Sequence, residues 1–510
     1  MVEKKAQDLA LNANSKTELD SPKGSETPIA EPGADQPQAE EEEVEDEPPD
    51  GGYAWVYVFC TFFINAHTWG INSSYGVFLA YYLANDYYPG ASALELAFVG
   101  GLSISQALMV SPLATYTTRV YGTRTTLLIG VALEVLALIG ASFTHQIWQL
   151  FLSQGVCFGL GMGFLFVGSV GIVPQWFTKK RSLANGIGTA GSGLGGMMYS
   201  LATNAMIDSL GVEWAFRILG ILACVVNVIC ALLIRDRNKA IGSIQLAFDY
   251  TLFKRREFWL LLGWGFFSMM GYITLLFSLP NYATSIGLSS RQGSIVGALL
   301  NLGQGLGRPL VGIFSDKAGR INLAGLCTFI GGLFCFVIWI FAKTFGVLVF
   351  FAIIVGTVAG TFWTTIAPVG AEVVGLKELP SALSIVWMFL VLPTTCKSRA
   401  SNKNLKSLNT WLICIAVSEP VALELRRQSG NIYLRVQIFT GFMYLAAALC
   451  MWGLRGWKIG QIERIAAAQE KKPDDIDIAA TNPLEKSGVG PMSTQSTSNV
   501  LKRLVMWKKV

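Results

Sequence analysis

Apolar residues in this chain collect into twelve runs, most about 20 residues long, each closed by a short polar or basic segment. About 20 apolar residues is the length at which a helix crosses hydrocarbon. The runs fall near 53–83, 94–115, 125–143, 147–173, 183–207 and 214–234. A second set follows near 258–284, 292–312, 323–342, 346–373, 380–395 and 434–455. Backbone groups in lipid must pair within their own segment, so the runs predict helices. A charged stretch, 235–257, separates the two sets. Residues 1–50 are rich in Glu, Pro, Ser and Ala, with an acidic run from Glu40 to Glu47, and residues 456–510 are again polar. Neither end can bury enough apolar surface to offset its ordering entropy, so both are expected to be disordered tails.

Composition fits a chain whose solvent is largely lipid. Of 510 residues, 52% are hydrophobic and 14% charged, against about 25% charged in soluble domains. The net charge of +5 is spread over loops and tails and gives no ground for a nucleic-acid partner. Nine cysteines lie mostly inside apolar runs, without disulfide-framework spacing, and two histidines, His67 and His145, do not make a metal site. The amino terminus has no apolar h-region of a cleavable signal.

Loop charge sets the expected orientation. Fourteen Lys and Arg residues follow the even-numbered spans (Arg119 and Arg124 after the second, Lys179, Lys180 and Arg181 after the fourth). Through the ninth span the opposite loops hold two, Arg291 and Lys343. The positive-inside rule then puts both termini in the cytoplasm. The halves also resemble each other. A shift of 197 positions (309 − 112) lays Val99, Gly100, Leu102, Pro112, Leu113 and Gly122 on Val296, Gly297, Leu299, Pro309, Leu310 and Gly319. Parallel six-helix repeats around a midplane site are one transporter design.

Three motifs narrow the family. Gly312, Asp316, Lys317, Gly319 and Arg320 form a G-x-x-x-D-[RK]-x-G-R loop after the eighth span, which resembles the latch loop of the major facilitator superfamily. The first-half counterpart, 115–124, has Arg119 where the acid belongs. Asp50-Gly51-Gly52-Tyr53-Ala54-Trp55 opens the first span, and Trp176 to Gly186, containing Lys179, Lys180 and Arg181, leads into the fifth. Both resemble motifs of the monocarboxylate porters, and the text from Asn65 to Gly76 is most similar to their fungal branch. The resemblance spans residues 50 to about 455. It implies an all-α membrane protein with the twelve-helix major-facilitator fold.

Gly186, Gly188 and Gly191 match G-x-G-x-x-G, but they sit in an apolar helix and not in a βαβ unit. They are expected to let helices approach closely. No G-x-x-x-x-G-K-[ST] loop is present, so no ATP is expected to drive the protein, and no cofactor is expected.

Polar residues inside spans mark a candidate site, because burying them in lipid is costly. Asn65, Trp69 and Asn72 share one face of the first span with Gly76. Gln304 and Arg308 are one turn apart in the eighth. The resemblance places Arg308 where the porters hold a substrate-binding arginine, and its planar fork suits a carboxylate. The alternative is an arginine that snorkels to the interface. Glu134 and Glu372 are candidates for pairing with a neighbouring helix, and His67 for a structural hydrogen bond. Proton-coupled porters carry an aspartate where this chain has Gln304 and a lysine in the first span, which has none here. Facilitated diffusion, or coupling through another group, is therefore expected. The fungal porters include a riboflavin carrier, so both monocarboxylate-like and riboflavin-like solutes fit the resemblance.

The eleventh span breaks after Thr395 into a segment carrying Lys397, Arg399, Lys403 and Lys406. Such a segment does not cross hydrocarbon. Cys396-Lys397 can be encoded as an intron start and Ala416-Val417 as an intron end. Excising about 63 nucleotides in frame restores Pro-Thr-Thr-Phe-Ser-Glu-Pro. Residues 396–417 are read as a retained intron, with a genuine loop as the alternative. The expected protein is a secondary carrier of a small organic solute in the plasma membrane or an internal one such as the vacuole's. A transporter-like nutrient sensor that binds without carrying is the competing class. An enzyme is disfavoured because no His/Asp/Glu cluster is evident.

Overall fold

The computed structural model describes residues 50–394 and 433–470, all in helices and the short segments between them. In order, α1 runs from Ala54–Asn65 through a π-helical turn, Ala66–Gly70, and Ile71–Ser73 into Tyr75–Ala84. Helix α2 comprises Ala93–Met109 and Ser111–Tyr121. Helix α3 is Thr123–Ala141, and α4 runs from Ile147–Leu150 through a π turn, Phe151–Cys157, to Phe158–Val170 and Val173–Trp176. Arg181–Leu210 is α5 and Val212–Leu233 is α6. In the second half, α7 is Arg256–Ser285, α8 Ser290–Ala318 and α9 Arg320–Val337. Helix α10 joins Phe345–Ala359 to Thr361–Val374 at Gly360; α11 is Leu379–Thr394 and α12 Leu434–Glu470.

The helices outrun the apolar runs that predict them, because hydrocarbon ends before hydrogen bonding does. Helix α8 continues through Asp316 and Lys317 to a Gly319 cap at φ 102°, and α2 continues through Arg119 to a Gly122 cap at φ 83°. Both φ values are ones that only glycine adopts cheaply, so the glycines paired by the 197-residue shift do the same job. Helix α12 also runs past residue 456, where a tail was expected. There Lys458 Nζ donates to the Glu372 carbonyl at 2.9 Å and holds the extension to the end of α10. The two segments of α2 meet at 43°, just before Pro112, which has no N–H to continue the ladder.

Among the described residues, seven helices are long and apolar enough to cross a membrane, and the bent α2 pair makes an eighth. Helices α5 and α8 have 30 and 29 residues, but glycine, serine and asparagine dilute their hydropathy. The reason is their place: they pack extensively on each other. Packing repeats between halves. Helix α1 lies on α5 and α6, α3 on α4 and α6, and α2 on α4. Six helices later, α7 lies on α11 and α12, α9 on α10 and α12, and α8 on α10. Across the halves α5 meets α8 and α2 meets α11, pairs that exchange under the same shift. The fold is two six-helix repeats about a pseudo-twofold axis. Residues 396–417 lie outside the described residues.

The polar segments after α2, α4, α6, α8 and α10 gather at one end, here called the basic end. Arg124 Nε donates to the Ile234 carbonyl (3.3 Å), Trp176 Nε1 to the Arg235 carbonyl (3.1 Å), and Arg255 pairs with Glu378 (2.8 Å).

Candidate functional site

Glycines bring α5 and α8 into backbone contact. A Cβ on Gly186 would lie 2.5 Å from the Arg308 carbonyl, and one on Gly193 2.7 Å from the Gly305 nitrogen. Gly191 presses the same way on the Phe62 carbonyl of α1. The G-x-G-x-x-G pattern is therefore a packing seam. Beside it, between the halves, is a cavity of about 70 Å³. Asn65, Trp69, Asn72, Gln304 and Arg308, the residues singled out from the sequence, all line it.

One wall is polar. Arg308, 4% exposed, does not reach the interface. Its Nη1 donates to the Thr189 carbonyl at 2.5 Å and to Ser192 Oγ, both on α5, and its Nη2 to Gln304 Oε1 at 3.0 Å. Tyr272 of α7 donates its hydroxyl to the same Gln304 oxygen at 2.8 Å. Arg308 Nε is buried without a partner. It faces Gly360, the break in α10, where a Cβ would lie 2.9 Å away. Among the described residues no carboxylate lies within ion-pair distance of Arg308. Asn72 Oδ1 accepts from Ser103 Oγ at 2.7 Å, which ties α1 to α2. Asn65 Nδ2 donates to its own helix, to the Thr61 carbonyl at 2.8 Å.

The facing wall is aromatic. Trp69 of α1, Phe166 of α4 and Trp363 of α10 have ring centroids 5.3–5.9 Å apart. The Trp69 indole nitrogen is buried with no partner. Sequence reasoning missed Phe166, Thr189, Ser192, Tyr272 and Trp363. Apolar rings in apolar spans carry no signal, and serines in a glycine-rich helix read as packing.

Below the cavity the basic end is closed. Asp316 Oδ1 and Oδ2 accept from the backbone N–H groups of Ser182 and Leu183, at 3.0 and 2.9 Å, so its carboxylate caps the free N-terminus of α5. Arg320 bonds Asp316 (3.3 Å), Glu372 (2.9 Å) and the Thr178 carbonyl (2.6 Å). A Cβ on Gly312 would lie 2.5 Å from the Ser182 carbonyl. Lys317 is exposed, and Gly319 is the cap of α8. In the first half Arg119 is exposed, and the corresponding join is neutral: Ser111 Oγ donates to the Ser384 carbonyl at 2.9 Å.

The two porter-like motifs touch. Asp50 accepts from the backbone N–H of Thr178 (2.8 Å) and Lys179 (3.0 Å) and from the Thr178 hydroxyl (2.9 Å). Partial burial pushes its carboxyl up, but these donors outweigh that and hold it below the usual carboxylate value. Gly51 and Gly52 form the turn before α1, Gly52 at φ 59°. Trp55 packs edge-on against Phe177 at 5.2 Å. Lys179 and Lys180 are exposed, whereas Arg181 is 6% exposed and donates to the Phe177 carbonyl at 2.8 Å. Glu134 accepts from Asn227 Nδ2 of α6 (2.8 Å), and His67 Nδ1 meets the Phe63 carbonyl (2.8 Å). Neither residue is among those lining the cavity.

The hydrogen bonds that join the halves run from Arg308 down to the basic end. At the other end the cavity reaches the exposed Ser73. Two six-helix repeats around a polar central cavity, closed at one end, define a membrane transporter. The chain belongs to the Major Facilitator Superfamily, which it matches over residues 58–394. It is 35% identical over 440 residues to the Probable transporter MCH2 of Saccharomyces cerevisiae, covering 85% of this chain and 88% of that protein. It is 36% identical to the Uncharacterized transporter ESBP6 of the same yeast, over 83% of this chain and 62% of that one. Its fold is similar to that of the proton:xylose symporter XylE, with a TM-score of 0.59 at 14% identity, over 78% of this chain and 95% of XylE.

Proposed function

We propose that this transporter is a secondary carrier of a monocarboxylate. The observation that carries the reading is Arg308: a buried guanidinium with three neutral acceptors, no acid partner among the described residues, and an unpartnered Nε. A buried cation without an anion is costly. A solute carboxylate supplies the missing charge, and the Nε edge left open by Gly360 offers it a fork. The aromatic wall takes the apolar end of the solute. Riboflavin has no carboxylate to answer the Arg308 guanidinium, which favours a monocarboxylate over a riboflavin-like solute. Gln304 stands where the porters hold a titratable acid, which supports facilitated diffusion.

The basic end faces the cytoplasm in this reading, with both termini on that side. The fourteen basic residues of its loops support that orientation, and the plasma membrane is the proposed location. Tags at Met1 and Val510 that react from outside intact cells would refute the orientation. Uptake of lactate, pyruvate and riboflavin by cells producing the protein tests the solute. Saturable carboxylate uptake is expected, and uptake of riboflavin alone would overturn the choice.

A further inference from the structure

A second cavity, of about 40 Å³, lies on the basic side of the first. Its polar lining comes from Thr115, Thr118, Thr123, Gln175, Asn238, Gln245 and Trp387, and none of its lining residues is charged. Three rings stand between the cavities. Phe166 and Trp363 line the central one, and Trp387 lines the second. Trp363 and Trp387 stack at 5.7 Å with 10° between planes, and Phe166 meets Trp387 edge-on at 5.0 Å. Phe166 comes from the first repeat and both tryptophans from the second. A rotation that parts the repeats therefore pulls Phe166 off the indole pair and joins the two spaces. Trp387 is fully buried, yet its indole N–H has no partner. A core position with no need for a donor would hold a phenylalanine more cheaply.

Resting on the reading of the central cavity as the solute site, we propose that the second cavity is a transit chamber for the same carboxylate. The Phe166–Trp363–Trp387 cluster is its partition, and the Trp387 N–H is the donor that receives the solute there. The absence of charge in the lining suits a stage on a path, because a site must release what it binds. The basic loops around that end hold a positive potential that draws an anion onward from Arg308.

The test uses the full chain in liposomes with Ser73→Cys as reporter, read with a membrane-impermeant thiol reagent applied to one face at a time. The Ser73→Cys protein should label from the far end and stay at background from the basic end. Adding Trp387→Ala should raise basic-end labelling to a rate comparable with the far end. Phe166→Leu should do the same from the other side of the partition, and it substitutes if Trp387→Ala does not insert. Trp387→Phe keeps an aromatic ring in the partition and removes the donor. It should leave labelling unchanged while maximal carboxylate flux falls at constant half-saturation. Flux is measured in whichever of the full chain and the form lacking residues 397–417 carries solute. Background labelling from the basic end in both opening variants, inserted at parental levels, overturns the partition. Parental flux in Trp387→Phe overturns the donor. Labelling needs no solute, so if it opens as expected while no carboxylate is carried, the partition stands and the proposed function fails.

Discussion

Asp316→Asn removes one charge and replaces an acceptor by an amide at the contact that closes the basic end. In the parent, both carboxylate oxygens are used by backbone donors of α5, at 3.0 and 2.9 Å, and Arg320 adds a third bond at 3.3 Å. The asparagine oxygen keeps one backbone bond, and its NH₂ confronts the other N–H. A hydrogen bond to a charged group is worth about 1.5–3 kcal/mol, and an anion at a helix N-terminus about 0.3–1 kcal/mol. Together the latched form loses about 2–4 kcal/mol. That shifts its equilibrium with the form open at the basic end by about 30- to 900-fold. Both side chains are mostly buried, 10% exposed for Asp316 and 13% for Arg320, so screening by solvent removes little of this. With the Ser73→Cys reporter, labelling from the far end should fall and labelling from the basic end should rise. Unchanged labelling at both faces, with normal membrane levels, would refute the reasoning.

Arg308→Lys keeps a charge but loses the fork, and one lost charge-assisted bond of about 1.5–3 kcal/mol raises the half-saturation constant about 10- to 150-fold. Parental kinetics in that variant would return Arg308 to a structural role. Transport should depend little on a proton gradient, since Gln304 accepts from Tyr272 and Arg308 and does not titrate. Strong acceleration by an inward proton gradient that survives Glu134→Gln and Glu372→Gln would reveal a coupling group outside this account. The chain as written should carry solute poorly, because each Lys or Arg at a helix centre costs about 2.5–3.5 kcal/mol on insertion scales and the segment after Thr395 holds four. Replacing Cys396 by Phe and deleting 397–417 should restore transport. A mature message that keeps the segment, together with equal transport by both forms, would make the insert genuine.

The sequence made the periphery of the fold legible and its middle only partly so. Spans at the periphery, such as α3 and α6, are apolar over most of their length, and hydropathy alone locates them. Helices α5 and α8 are long but less apolar because their neighbours are each other, and the clue to them is the glycines that allow the approach. Spacing located Asn65, Trp69, Asn72, Gln304 and Arg308, because polar groups in lipid are rare enough to be noticed. Nothing local says that Arg308 reaches Thr189 and Ser192 at 119 and 116 positions' distance, or that Phe166 faces Trp363 and Trp387. Those contacts come from the rotation between repeats, which no single helix encodes. The degraded latch at Arg119 was readable as a missing acid, whereas its neutral replacement through Ser111 and Ser384 was not.

Net flux of a short monocarboxylate into liposomes holding the purified protein, with and without residues 397–417, tests the central claim most directly. Saturable, ATP-independent uptake to equilibrium is expected in the shortened form, suppressed by Arg308→Lys. Carboxylate binding without net flux in either form would make the protein a sensor and contradict it.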